Sequence, residues 1–180
     1  MKIRIFFIFL AILVFVTSVN AQWLKNGKPV ADKPWLKVWG KYGAQFELTD
    51  KPDELFRAWQ KPAVGVPVST TKIAKRGEPV AGVVFFAGCT KDKDGFCNAT
   101  VTFQVFKPNG SPYNEEQVSE LWIGKAPPPY GKLQLSKDAI GVIIEPNDPN
   151  GVYKVRAFLE DKISQAEVEL IRTFRVFPGE

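Results

Sequence analysis

The stretch Tyr153-Lys154-Val155-Arg156-Ala157-Phe158-Leu159-Glu160 decides the fold. Successive side chains of an extended strand point to opposite faces, so Tyr153, Val155, Ala157 and Leu159 share one face while Lys154, Arg156 and Glu160 share the other. The turn-rich run Pro146-Asn-Asp-Pro-Asn-Gly151 precedes this segment, and Asp161-Lys162 makes a second turn after it. Val168, Leu170, Phe174 and Val176 then continue a final strand. Two consecutive alternating strands joined by a short polar turn predict an antiparallel hairpin with one face in a core.

Upstream, the same signature recurs. Ala99 to Phe106 alternates, with Val101, Phe103 and Val105 opposite Thr100, Thr102 and Gln104, whereas Pro79 to Ala87 is apolar on both faces, as a strand covered on two sides should be. Weaker strands are expected at Val38-Trp39, Gly43 to Leu48, Leu121 to Ile123, Leu133 to Leu135 and Ile140 to Glu145. One helix is expected after Thr49-Asp50-Lys51-Pro52-Asp53-Glu54, which offers a capping side chain, an early proline and first-turn acids, with Leu55, Phe56 and Trp59 at helical spacing and Pro62 as the stop. Roughly seven to nine short strands with a single helix predict a mainly all-β, antiparallel sandwich. The division expected is an export signal over 1–21, an N-terminal extension with the helix over 22–62, and the sandwich over 63–180.

Lys2 and Arg4 precede an unbroken apolar run from Ile5 to Val16, and Val19-Asn20-Ala21 then supplies small residues for cleavage before Gln22. That order is the one of a secretory signal, and the run is shorter than the ~20 residues of a membrane span. A periplasmic or secreted protein with no integral membrane anchor after cleavage is expected. Removing Lys2 and Arg4 lowers the formal net charge from +5 to +3. The cations are interspersed with acids, so no nucleic-acid partner is expected. The chain contains no histidine. That excludes imidazole-activated nucleophiles and His-ligated metal centres, and neither a cofactor nor a metal is expected.

Cys89 and Cys97 lie eight positions apart between two predicted strands. In an exported chain such a pair is read as a disulfide, here stapling the base of a hairpin loop. The segment Asp148-Pro-Asn-Gly151-Val-Tyr153 resembles the tyrosine corner of immunoglobulin-like domains, and the hairpin that follows is similar to the last hairpin of bacterial immunoglobulin-like and fibronectin-like modules. The resemblance implies a β-sandwich in which Asp148, Gly151 and Tyr153 build the corner. The chain departs from antibody-type domains because neither cysteine lies on the strand that starts at Tyr153.

Lys91-Asp92-Lys93-Asp94-Gly95 has acids at alternate positions but lacks the remaining ligands of a calcium loop, so it reads as an exposed tip. Glu145, Asp148, Glu160 and Asp161 fall at strand ends and turns, with nothing to bring a catalytic carboxylate pair together. Trp35, Trp39, Trp122 and Tyr130, with Trp23, are the aromatic residues that the core-facing positions leave over, and aromatic side chains are common binding anchors. The expected function is a non-enzymatic module that binds a protein or envelope ligand. The alternative is a secreted inhibitor or accessory subunit presenting the Cys89 to Cys97 loop or Lys125 to Tyr130, with a hydrolase third.

Overall fold

A computed structural model describes residues 24–25, 28–39, 42–61 and 65–178. The expected export signal, Trp23 and Pro62 lie outside the described residues. The strands are β1 (Leu24–Lys25), β2 (Lys28–Pro29), β3 (Leu36–Trp39), β4 (Tyr42–Thr49), β5 (Ile73–Ala74), β6 (Pro79–Ala87), β7 (Asn98–Phe106), β8 (Gln117–Ile123), β9 (Gln134–Leu135), β10 (Ile140–Ile143), β11 (Gly151–Asp161) and β12 (Ala166–Val176); α1 is Pro52–Trp59.

Besides the small β1–β2 pair, the strands form two sheets. The first runs β10-β6-β4-β3, with β9 also on β6, and the second runs β5-β12-β11-β7-β8. Every pairing is antiparallel except β5 with β12. The described residues are therefore all-β with one short helix, as the alternating patterns imply. Between the sheets, Ala44, Phe46, Val84 and Phe86 of the first meet Val101, Phe103, Val105, Val155 and Leu159 of the second in one buried cluster.

Strand β6 is apolar on both sides for a visible reason. Val80, Val84 and Phe86 face the inter-sheet core, while Val83 and Phe85 form a second cluster with Leu55 of α1. Phe56 and Trp59 pack there too, with the Trp59 ring centroid 5.4 Å from that of Phe85. The helix thus plugs the outer face of the first sheet. Its start differs from expectation: Lys51 occupies the cap position without a side-chain cap bond, and Thr49 Oγ1 accepts the Lys51 amide at 3.0 Å instead.

Two expectations need correction. The segment 22–62 is not merely an extension, because β4 pairs with β6 through seven residues, from Gly43↔Ala87 to Thr49↔Ala81. Residues before 63 therefore supply central strands of the first sheet. The Cys89 to Cys97 loop also does not close a hairpin, because β6 and β7 belong to different sheets. Apolar strands flanking a short loop look alike in sequence whether they pair or cross between layers. Here the chain crosses.

Candidate functional site

The crossover and a neighbouring loop organise one end of the molecule. Cys89 and Cys97 are disulfide-bonded and both are buried, an arrangement compatible with an oxidising extracellular or periplasmic compartment. Inside the loop, Asp92 Oδ1 accepts the amides of Asp94 and Phe96 at 2.9 Å each, and the Asp92 amide donates to the Phe96 carbonyl at 2.8 Å. The first of the alternating acids, Asp92, is thus engaged in closing a turn. Gly95, at φ +92°, makes the reversal and leaves the Phe96 ring projecting, 46% exposed.

The loop after β8 is tied to this one. The Cys97 amide donates to Lys125 O at 2.9 Å and the Gly124 amide donates to Cys97 O at 3.0 Å. Trp122 Nε1 donates to Ala126 O at 2.8 Å, and Lys125 Nζ sits 4.7 Å from the Trp122 ring centroid. The prolines Pro127 to Pro129 then carry the chain from the second sheet towards β9 in the first. Tyr130 stands at the far side, 77% exposed.

Behind both loops lies Asp161, a carboxylate only 4% exposed at the end of β11. Its Oδ2 accepts the Thr90 amide at 2.7 Å, and its Oδ1 accepts the amides of Ile163 and Ser164 at 3.0 Å each. Burial by itself would raise its pKa; the bonds from Thr90, Ser164, Tyr42 and Ile163 outweigh that and hold it below the usual carboxylate value. Burial also pushes the Tyr42 phenol up, and the adjacent Asp161 carboxylate adds to the rise. One side chain therefore joins the disulfide loop, the β11–β12 turn and the start of β4.

Asp161→Ala would strand those amides and should cost about 3 kcal/mol of stability, within the usual range for unsatisfied buried donors. Asp161→Asn isolates the charge. A carboxyl whose folded pKa is depressed contributes stability above its unfolded pKa, about 3.9, and loses it as pH falls through the folded value. Urea midpoints of wild type and Asp161→Asn should therefore differ at neutral pH and converge below about pH 4. A gap independent of pH would show that Asp161 titrates alike in the folded and unfolded chain, and a gap that instead narrowed as pH rose would show it held uncharged.

Of the expected partner-binding aromatics, the structure gathers few. Trp122 packs edge-on against Phe86 at 5.7 Å, and Trp39 stacks on Tyr42 at 5.5 Å, both half-buried over the core. Trp35 lies elsewhere, under the Arg172 guanidinium at 4.3 Å. These three fill space where strands end. Among the described members of the set only Tyr130 projects, and Phe96, which the sequence reading does not single out, joins it. A lone aromatic inside a stapled loop of charged residues was the available signal.

The corner lies around the β10–β11 loop, with no residue in common with the stapled loop. The Tyr153 hydroxyl donates to Pro149 O at 2.8 Å, and its fully buried ring stacks on Phe174 at 5.2 Å. Gly151 has φ +134°, and a β-carbon there would fall 2.9 Å from Pro108, so geometry and space both require glycine. Asp148 Oδ2 accepts the Tyr113 hydroxyl at 2.6 Å and the Glu145 amide at 2.9 Å. The Tyr113 bond is the main reason its pKa lies below the usual value, with the Glu145 amide, Lys107 and Arg76 acting the same way. Arg76 completes the loop by donating to the carbonyls of Glu145 and Asp148 and to Asn150 Oδ1.

Among the described residues, no group of three or more His, Cys, Asp or Glu side chains is placed to hold a metal ion, and no helix is long and apolar enough to cross a membrane. A cleft lined by Trp39, Tyr42, Phe86 and Leu159 has an accessible volume of about 20 Å³, room for little more than one water.

No protein-family model and no curated protein sequence matches the chain. Among solved structures, it is similar to a family 123 glycoside hydrolase from Clostridium perfringens at TM-score 0.40 and 10% identity, over 77% of this chain and 27% of that one. It is also similar to a Northeast Structural Genomics Consortium target at TM-score 0.28 and 12% identity, over 77% of this chain and 86% of that one. The chain thus spans about a quarter of the hydrolase's length. Likenesses at these scores carry no activity to it.

Proposed function

We propose that this chain is an exported, non-enzymatic, immunoglobulin-like module that binds a protein or cell-envelope ligand through the paired loops 89–97 and 124–133. The observation that carries the reading is their mutual bracing at Cys97, Lys125 and Gly124, with Phe96 and Tyr130 left projecting. A loop already held in shape loses less entropy on binding, so exposed aromatics on braced loops are worth more than on free ones. The immunoglobulin-like part is supported by the final hairpin pairing onward to β7 and by the Tyr153 bond to the chain four residues earlier. The absent histidine, and the commitment of Asp148 and Asp161 to backbone amides, support a non-enzymatic role.

A photo-crosslinking residue placed at Phe96 or Tyr130 tests the site. In an envelope fraction from the source, both positions should yield the same discrete adduct, and the same residue at Glu54 on α1 should yield none. Equal labelling from all three positions, or none from either loop, would sink the proposal. The stapled loop also suits an inhibitor or accessory subunit, and the captured partner would decide between these roles.

A further inference from the structure

The two sheets are finished differently on their outer sides. α1 covers the first, whereas among the described residues nothing overlies the second, β5-β12-β11-β7-β8. Its strand register puts the outward side chains in rows across the strands, and charge is sorted along them. The three rows nearest the start of β11 carry Arg175, Lys154 and Arg156, and the one carboxylate that reaches them is Glu116, which accepts Arg156 Nη2 at 2.6 Å beside Gln104. The two rows nearest its end carry Glu169, Glu160, Glu167 and Glu120 and no cation. Apolar side chains separate the halves, among them Phe158, Ile171 and the 68%-exposed Val118. Lysines reach the acidic half only from its rims, Lys162 to Glu160 and Lys137 to Glu120, while Arg156 reaches Glu169 at 4.0 Å along the boundary.

We propose that this face pairs with the same face of a second copy of the chain, the basic half of each lying on the acidic half of the other. A twofold axis that runs across the strands, between the two faces, brings about both matches in one operation, as a closed isologous contact requires. Strand spacings make the face roughly 25 by 27 Å, and its area approaches the ~800 Å² per partner of a stable interface. Sorted charge fixes the relative orientation, because a parallel stacking would set like charges together.

Sedimentation of the purified protein at low ionic strength should show a dimer that dissociates as added salt shortens the screening length to below about 8 Å. The variant pair Lys154→Glu with Arg175→Glu makes the face largely acidic, with Arg156 its remaining cation, and Glu167→Lys with Glu169→Lys makes it largely basic. All four positions are exposed, so denaturation midpoints should stay near wild type. Each double variant should self-associate about ten-fold more weakly or worse, and an equimolar mixture should recover the dimer. A wild type that stays monomeric at low salt, a variant that dimerises like wild type, or a mixture that remains monomeric would each overturn the proposal. Sedimentation of a monomeric wild type with anionic lipid vesicles would reassign the basic half to a membrane surface. Crosslinking from Phe96 and Tyr130 reads a separate surface, so either idea can fail without the other.

Discussion

Tyr153→Ala should lower stability by about 3–5 kcal/mol and Tyr153→Phe by about 1 kcal/mol, the costs of a large buried void and of one lost hydrogen bond. The ring is fully buried, stacked on Phe174 and met edge-on by Tyr113 at 5.9 Å, so alanine removes contacts on two sides that rigid strands cannot close over. Phenylalanine keeps those contacts and leaves only the Pro149 carbonyl without its donor. The loop itself should survive, because Arg76 still bonds Glu145, Asp148 and Asn150. In a domain of this size the alanine variant should melt roughly 10 °C lower, at about 2–4 °C per kcal/mol. Equal losses for both substitutions would place the energy in the hydroxyl rather than the ring.

The contrast between those two substitutions follows the line between what sequence could and could not disclose. That Tyr153 faces inward with Val155 and Ala157 is a matter of period two, and all three are buried. The two-sided burial of β6 was equally legible, since Val83 and Phe85 alternate with Val84 and Phe86 and something had to cover each face. Pairing was not legible. Alternation says which way a side chain points but not which strand lies beside it, so from sequence β4 stands apart from β6 and the disulfide crossover looks like a hairpin. The placement of the expected binding aromatics was hidden for a related reason. Trp39 and Trp122 occupy strand ends, where a large ring can fold back over the core, and Trp122 even finds a backbone acceptor for its indole. Charge sorting on the second sheet was hidden too, because Lys154 and Arg175 meet only after the hairpin aligns β11 with β12.

A side chain that reverses the expected alternation holds the two sheets together at their β12 and β4 margins. Arg172 occupies an inward position of β12, yet it reaches the edge of β4, where its Nε donates to Phe46 O at 2.8 Å and its Nη2 pairs with the Glu47 carboxylate. Glu47 is 6% exposed and also accepts Gln45 Nε2 at 2.6 Å, while Trp35 covers the guanidinium. Two charges so withdrawn from water gain little net energy from each other, but removing one leaves the other stranded. Arg172→Ala should therefore cost about 3–5 kcal/mol, since the carboxylate keeps only Gln45 as a side-chain donor. Glu47→Ala should cost less, about 2–3 kcal/mol, because Arg172 retains a carbonyl and an aromatic face. Combining Glu47→Leu with Arg172→Met fills the same space without charge and should return stability to within about 1 kcal/mol of wild type. Urea denaturation of the four proteins provides the test. A double variant as unstable as Arg172→Ala would mean that the pair is strongly favourable in itself, and that the margin relies on charge rather than on occupied volume.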